Sequence, residues 1–200
     1  MEEEKHAGAG VLRCPWAEGH ELLRAYHDRE WGLPLHDEGR HFEYLMLETM
    51  QAGLSWLTIL KKREAFREAF AGFDPERVAL FSESDIEELM RNEKIIRNGR
   101  KLRGAVTNAK AFLRVRREYG SFDRFLWSFT GGEPVIHDFE RQEDVPARNE
   151  LSDHVSSELK KRGFVFVGPV IIYAHLQAVG VINDHLTTCF RHREVIGKTR

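Results

Sequence analysis

The sequence predicts a single all-α domain, and three observations lead to that fold class. Apolar residues recur at helical spacing in most segments, whereas the alternating pattern of strands is scarce. The 200 residues, 42% of them hydrophobic, are enough for one domain with a substantial core. No interior stretch reads as a linker, and no internal repeat is visible. We therefore expect one helical domain over residues 11–192, with a flexible acidic tail over 1–10 and a C-terminal tail over 193–200.

Capping residues and apolar stripes indicate where the helices begin and end. Ser55 can cap a helix, Pro169 suits a first helical position, and Gly163 and Gly180 can end helices in the left-handed conformation. The predicted helices cover 41–51, 56–70, 84–91, 100–118, 121–129, 152–162 and 169–179. Residues 131–150 hold Gly, Pro and many charges without a clear period, and they predict a long surface loop.

Charge is unevenly distributed along a nearly neutral chain. The formal net charge is −2, which argues against indiscriminate adhesion to nucleic acid. Residues 91–117 nevertheless hold 10 Lys/Arg and 1 Glu, a local net of +9. This block fits either a phosphate-facing surface or a solvated helix face.

The sequence also favours some locations over others. No apolar run approaches the length of a membrane span, and the N-terminus does not resemble a secretory signal. The chain has two cysteines, too few for a disulfide scaffold. We therefore expect a cytoplasmic protein with no membrane partner.

Each of the two cysteines is close in sequence to a histidine. Cys14 precedes His27 by thirteen residues, and His185 precedes Cys189 by four, a spacing that predicts one face of a helix. Together they form a Cys2His2 set, which suits tetrahedral zinc and would join the two ends of the chain. The alternative is a pair of buried thiols among surface histidines, since others such as His20 are also nearby.

A helical hairpin and a lone acidic residue are two further signals. The connector GFVFVG, from Gly163 to Gly168, separates two predicted helices and would expose backbone amides to an anion such as a DNA phosphate. The cations Lys160, Lys161 and Arg162 directly precede it.

The acidic residue is Glu48, which lies in the apolar segment LMLETM. It is either functional or at the edge of the buried stripe. Three tryptophans and a tyrosine lie near Glu48 or near the candidate metal ligands: Trp16, Tyr26, Trp31 and Trp56.

Taken together, these segments closely resemble the bacterial 3-methyladenine DNA glycosylase I family, which are helix-hairpin-helix repair enzymes. The resemblance spans roughly residues 13–190. Its most specific stretches are RCPW (13–16), AYHDREWG (25–32), LETMQAGLSWLTILKKRE (47–64), FLWSF (125–129), LKKRGFVFVGP (159–169) and NDHLTTC (183–189).

The resemblance implies a structural zinc ion held by Cys14, His27, His185 and Cys189. It also implies a base pocket formed by Trp16, Tyr26, Glu48 and Trp56. The turn at 52–55, with Gly53 and Leu54, would fill the gap left by a flipped nucleotide, and the hairpin with Gly163 and Gly168 would bind the DNA backbone.

The implied reaction is hydrolysis of the N-glycosidic bond of 3-methyladenine in alkylated duplex DNA by a monomeric enzyme. It would release free 3-methyladenine and leave an abasic site. Glu48 is expected to act in base recognition and electrostatic stabilisation. The family often has a tyrosine where this chain has Leu23, so we expect a less polar pocket wall there. Asp184 need not face the pocket, because one residue along a helix turns the side chain by about 100 degrees, and we expect it to orient or support the metal-binding helix.

Three alternatives remain open from the sequence. A non-catalytic DNA-binding module would use only the hairpin and the basic helix. A glycosylase with lyase activity would need a lysine nucleophile, and the hairpin connector contains none. A zinc hydrolase would need an open metal position.

Overall fold

A computed structural model describes residues 11–51 and 53–198, and its fold is all-α, as predicted. The helices are α1 (Glu21–Arg29), α2 (Glu38–Gln51), α3 (Trp56–Ala69), α4 (Pro75–Val78), α5 (Glu83–Arg91), α6 (Gly99–Tyr119), α7 (Phe122–Trp127), α8 (Glu150–Lys161), α9 (Pro169–Ala178) and α10 (Phe190–Lys198). The predicted tail over 1–10, Ala52 of the predicted turn, and residues 199–200 lie outside the described residues.

Helix α2 lies at the centre of the fold and packs against α3, α6, α7 and α9. All ten residues from His41 to Met50 are buried. Phe42, for example, meets Phe112 of α6 with ring centroids 5.2 Å apart. Because α2 is enclosed on every side in this stretch, Glu48 is carried into the interior rather than to the edge of an apolar stripe.

Two of the predicted helix starts are confirmed. The hydroxyl of Ser55 accepts a hydrogen bond from the backbone N–H of Thr58, which caps α3. Pro169 is the first residue of α9, where its missing N–H removes no helical hydrogen bond. These two caps matter for function because they fix the entry of the chain into the helices that carry Trp56 and the hairpin.

Two other helix starts were predicted wrongly. Helix α5 begins at Glu83 rather than at the predicted residue 84, because Ser82 and Asp85 form its capping box. Helix α8 begins at Glu150, because Asn149 is its N-cap and the hydroxyl of Ser152 donates back to the Asn149 carbonyl. In both cases a competing polar side chain lies two or three residues upstream.

The region 131–150 is largely irregular, as predicted, but it is anchored. Its strand β1 (Val135–Ile136) pairs in parallel with β2 (Ile182–Asn183). A short 3-10 turn over Gln142–Asp144 follows. The loop is therefore attached to the segment that leads into the candidate metal ligands.

The prediction that His185 and Cys189 share a helix is wrong. Both lie in the irregular segment between β2 and α10, which begins only at Phe190. The backbone N–H of His185 donates to the Asn183 side chain instead of entering a helical ladder. Residues 193–198 continue α10, so the predicted boundary at 192 falls inside a helix.

Helices α8 and α9 form the predicted hairpin. Gly163 has φ +84°, a left-handed conformation that ends α8. The connector lies on α6, where the Asn108 side chain exchanges two hydrogen bonds with the backbone of Val165, at 2.8 and 3.0 Å. In the part of the chain that the structure describes, every helix is too short or too polar to cross a bilayer.

Candidate functional site

The four predicted metal ligands converge on one buried point. One ligand atom from each of Cys14, His27, His185 and Cys189 lies within 4.8 Å of the others. Sγ of Cys189 lies 3.4 Å from Nε2 of His27 and 3.6 Å from Nδ1 of His185. The cluster therefore joins α1 and the segment before it to the segment before α10, as the sequence predicted.

Neighbouring groups orient both imidazoles toward the cluster. Nδ1 of His27 lies 2.9 Å from a carboxylate oxygen of Asp28, so Nδ1 carries the proton and Nε2 presents its lone pair. Arg13 in turn holds Asp28 through two nitrogens, at 2.9 and 2.8 Å. Nε2 of His185 donates to the Trp31 carbonyl at 3.0 Å, which leaves Nδ1 free to bind.

The cluster fits a tetrahedral metal ion. Bonds of about 2.0 Å to nitrogen and 2.3 Å to sulfur place neighbouring ligands roughly 3.3–3.8 Å apart, and the separations above are of that size. Burial lowers the pKa of His185, which favours the neutral form that binds metals. The hydrogen bond from Cys14 lowers the pKa of Cys189, so one thiolate is favoured even before a metal binds.

A cavity of about 360 Å³ lies beside the cluster. All four predicted pocket residues line it: Trp16, Tyr26, Glu48 and Trp56. The Tyr26 and Trp56 rings are 5.3 Å apart between centroids, and Trp16 meets Trp31, another lining residue, edge-on at 5.0 Å. These rings give the cavity flat apolar walls that suit a planar aromatic guest.

Glu48 is the polar centre of this cavity. It is only 4% exposed, and no described residue donates a hydrogen bond to its carboxylate. Burial raises its pKa to about 8. A carboxylate kept from water without a partner is costly unless a guest supplies one, which is typical of a binding site.

Two more polar groups at the cavity have no partner among the described residues. Nε1 of Trp56 is buried without an acceptor. The hydroxyl of the buried Tyr26 forms no hydrogen bond there either. The Glu48 carboxylate and the Tyr26 hydroxyl belong to residues that line the cavity, and they can serve a guest with a polar edge.

The remaining walls contain residues that sequence reasoning missed. They are Gln51, Gln142, Val145, Pro146, Ala147, Val170, Tyr173, Ala174 and Gln177. The 142–147 stretch belongs to the predicted surface loop, which thus has a part in the site. Tyr173 and Gln177 had a usable signal, because they are polar and one turn apart in an otherwise apolar helix.

Asp184 also lines the cavity, although the predicted helix did not require it to face the pocket. Its side chain accepts hydrogen bonds from Tyr173 and Gln177, both at 2.6 Å, as well as from His137. The irregular backbone after β2 explains the difference, because our argument assumed the 100° rotation per residue of a helix. Leu23 is half-buried and is not among the residues that line the cavity.

The predicted DNA-binding residues lie in two places, the turn before α3 and the hairpin of α8 and α9. Leu54 is 42% exposed beside Gly53, whose φ is +83°, and Lys160 and Lys161 are exposed on the last turn of α8. Gly163 and Gly168 bound the connector, and a Cβ on Gly168 would meet no atom within 4 Å.

Arg162 differs from its neighbours, because it is used inside the fold. Its guanidinium donates to Glu158 and to the Tyr119 hydroxyl, each at 2.6 Å, and it lies over two aromatic rings. It therefore fastens the end of α8 to α6 rather than pointing to solvent.

Comparison with known proteins agrees with this geometry. A family model for methyladenine glycosylase matches residues 16–192. DNA-3-methyladenine glycosylase from Haemophilus influenzae is 45% identical over 179 residues, 90% of this chain and 97% of that protein. DNA-3-methyladenine glycosylase 1 from Escherichia coli is 43% identical over 177 residues, 88% of this chain and 95% of that protein.

Solved structures share the whole fold. A crystal structure of 3-methyladenine DNA glycosylase I aligns with a TM-score of 0.87 at 45% identity, covering 90% of this chain and 98% of that one. The Staphylococcus aureus enzyme, solved to show how it recognises 3-methyladenine, aligns with a TM-score of 0.86 at 40% identity, covering 89% and 95%. From its fold, its cavity and these matches, the chain belongs to the methyladenine glycosylase family.

Proposed function

We propose that this protein is a DNA repair glycosylase that hydrolyses the N-glycosidic bond of 3-methyladenine in alkylated duplex DNA. It releases the free base and leaves an abasic site. One observation carries the proposal: an aromatic cavity encloses the buried carboxylate of Glu48, which lacks a hydrogen-bond partner among the described residues. Relatives that are 43–45% identical over nearly the whole chain are named for the same activity.

The cavity suits this base because methylation at N3 makes the purine cationic. A cation gains from a nearby carboxylate and from aromatic faces, whereas neutral adenine gains much less. An arriving cation also favours the ionised form of Glu48, and so offsets the effect of burial on its pKa. Tyr26 supplies a hydroxyl and Trp56 an aromatic face in the lining of the same cavity.

The reaction needs the base outside the helix. Flipping the nucleotide costs a few kcal/mol, which the exposed Leu54 can offset by filling the gap in the stack. The bond from the sugar carbon to the purine nitrogen then breaks, and its electron pair leaves with the purine, which becomes neutral. Water adds to the sugar carbon and loses a proton. We assign Glu48 to recognition of the base and to electrostatic stabilisation as this bond breaks.

The hairpin and the turn before α3 bind the DNA in this proposal. The amides of the connector at the start of α9 face a phosphate, since helix N-termini attract anions. Lys160 and Lys161 add positive charge beside it. Gly53 and Leu54 lie in the turn that connects α2 and α3, the helices that carry Glu48 and Trp56.

We propose zinc as the metal and a structural role for it. Two thiolates and two imidazoles are the donor set that zinc prefers. Four protein ligands complete a tetrahedron and leave no position for an activated water, which disfavours a metal-dependent hydrolase. We also propose that the enzyme is a cytoplasmic monomer. Both of its cysteines are free thiols, which suits a reducing compartment.

The experiment is release of free base from methylated duplex DNA, with products separated by chromatography. Wild type is compared with Glu48→Gln and with Glu64→Gln, a matched change at a residue that is 76% exposed on α3. Wild type and Glu64→Gln are expected to release 3-methyladenine, and Glu48→Gln to be strongly impaired.

Other outcomes are equally informative. No release by folded, metal-loaded wild type would contradict the function and favour a non-catalytic DNA-binding protein. Full activity and selectivity of Glu48→Gln would remove the role of Glu48. A covalent adduct trapped by borohydride on an abasic substrate would favour the lyase.

A further inference from the structure

Walls of the cavity and ligands of the metal cluster come from the same short segments. Trp16 lies two residues after Cys14, Tyr26 precedes His27, and the Trp31 carbonyl accepts from His185. These three links involve the N-terminal side of the cavity. The C-terminal side has a single link, which is Asp184, the residue before His185.

Asp184 is fully buried and is held from three directions. One carboxylate oxygen accepts from Nδ1 of His137 at 2.6 Å. The other accepts from the Tyr173 hydroxyl and from the Gln177 amide, both at 2.6 Å. Tyr173 and Gln177 are themselves cavity walls on α9, and His137 directly follows β1.

We propose that Asp184 is a positioning residue that makes base binding and metal binding cooperative. It joins the backbone of a metal ligand to the wall formed by α9 and to the loop that closes the cavity. When the ligands hold their metal, His185 is fixed, and Asp184 with its three donors is fixed with it. The wall is then already in the geometry that a base requires, so the base does not have to order it.

Thermodynamic linkage makes this effect reciprocal. If the metal tightens base binding by some factor, the base must tighten metal binding by the same factor. Coupling between two sites of this kind typically amounts to 5–150-fold. The inference rests on the proposed function only in taking free 3-methyladenine as the guest of the cavity.

The test measures the zinc dissociation constant by competition with a chromophoric chelator, with and without saturating 3-methyladenine. Base binding is followed separately by tryptophan fluorescence, since Trp16, Trp31 and Trp56 line the cavity. In wild type, the base is expected to tighten zinc binding by about fivefold or more. Asp184→Asn keeps the side-chain volume but loses one charged acceptor. In this variant, the ratio of the zinc dissociation constants without and with base is expected to fall close to one.

The matched control is Asp153→Asn, an exposed aspartate of α8 that is expected to keep the wild-type ratio. A second variant, Tyr173→Phe, removes a single donor to Asp184 and keeps the ring. It is expected to give an intermediate ratio, and it replaces Asp184→Asn in the comparison if that variant does not fold.

Each contrary result has a distinct meaning. If Asp184→Asn weakens zinc binding yet keeps the wild-type ratio, Asp184 merely stabilises the loop and the proposal is wrong. If wild type binds the base but its ratio is one, the coupling is refuted and the proposed function stands. If wild type binds no free base at all, the coupling is refuted, and base release from methylated DNA decides the proposed function separately.

Discussion

The metal cluster and the base cavity are neighbouring buried sites with opposite hydrogen-bonding states. In the cluster, both imidazoles are oriented by a second group, and Arg13 supports that group at His27. In the cavity, the Glu48 carboxylate and Trp56 Nε1 have no partner among the described residues. Complete networks hold a fold together, whereas unpaired buried groups lower stability and await a ligand.

The difference separates stability from activity within one small domain. Changes in the cluster should chiefly lower stability, and they should reach base binding through the coupling that we propose for Asp184. Changes in the cavity should lower activity and leave stability the same or higher. The predictions below test that separation, in order of decreasing effect.

Removing a metal ligand should have the largest effect. Cys189→Ala is expected to lose stoichiometric metal and to lower the free energy of unfolding by more than about 4 kcal/mol. Metal content by mass spectrometry and thermal unfolding would measure this. His20→Asn is the control, because its side chain can still cap α1 without entering the cluster. A metal-free Cys189→Ala protein of wild-type stability would contradict the structural role.

Glu48→Gln should lower the excision rate by about 10²–10³-fold, the range seen when one preorganised electrostatic contact is removed. Its stability at neutral pH should equal or exceed that of wild type, because the amide removes a buried ionisable group. Single-turnover excision and chemical denaturation would measure the two properties. A variant that is less stable and equally active would reverse the distinction between the sites.

The same variant gives a prediction of pH dependence. The Glu48 pKa is about 8 in the folded protein and 4.5 ordinarily, so the unfolded chain loses this proton first as pH rises. Wild type should therefore lose stability relative to Glu48→Gln between pH 4.5 and 8, by at most about 1.4 kcal/mol per pH unit, and no further above pH 8. Unfolding curves of both proteins across this range would show it. A constant difference would mean that Glu48 does not hold a proton when folded.

His175, a buried histidine on α9 that belongs to neither site, extends the comparison. Neither ring nitrogen has a partner among the described residues, and burial lowers its pKa to about 3, with a smaller effect of His41. Below pH 6.5 the unfolded chain binds this proton first, so stability should fall as pH drops from 6.5 toward 3.

His175→Phe should remove that acid sensitivity and stabilise the protein by about 1–3 kcal/mol. Denaturation at pH 7 and pH 5 would measure both effects, with the exposed His154→Gln as the control. A destabilised His175→Phe protein would mean that the His175 imidazole has polar interactions that a phenyl ring cannot replace.

The smallest effect concerns DNA affinity. Lys160→Ala should weaken DNA binding by a few-fold, because Lys160 is exposed beside the connector. It should also reduce the slope of log affinity against log salt concentration by about one. Arg162→Ala should instead lower stability, since its guanidinium holds Glu158 and Tyr119. Fluorescence anisotropy at several salt concentrations, combined with thermal unfolding, separates the two. Equal effects of both variants on binding would place Arg162 at the DNA.

Sequence patterns predicted the fold and much of the site, for local reasons. Helical periodicity gave the all-α class, and Ser55 and Pro169 gave correct helix starts. Residue chemistry gave the Cys2His2 set, and the quoted motifs gave the four pocket residues. Each of these signals depends on residue types within a few positions of one another, which is information that a sequence carries directly.

The errors come from interactions between distant segments. The four-residue spacing of His185 and Cys189 suggested a helix, but contacts with the Asn183 side chain and the 131–150 loop hold this segment in an irregular path. The β1–β2 pairing is two residues long and leaves no periodic pattern. For the same reason, nothing local indicated that Val145 and Pro146 enclose the cavity or that Asp184 faces it.

The metal cluster also constrains how the protein is made. His185 follows His27 by 158 positions in the sequence, so His185 and Cys189 are synthesised long after Cys14 and His27. Because domains begin to fold during synthesis, the helices between these segments can pack before the second pair of ligands exists. The cross-link between these segments can therefore form only after Cys189 has been synthesised, and a chain that stops short at residue 184 could never assemble it.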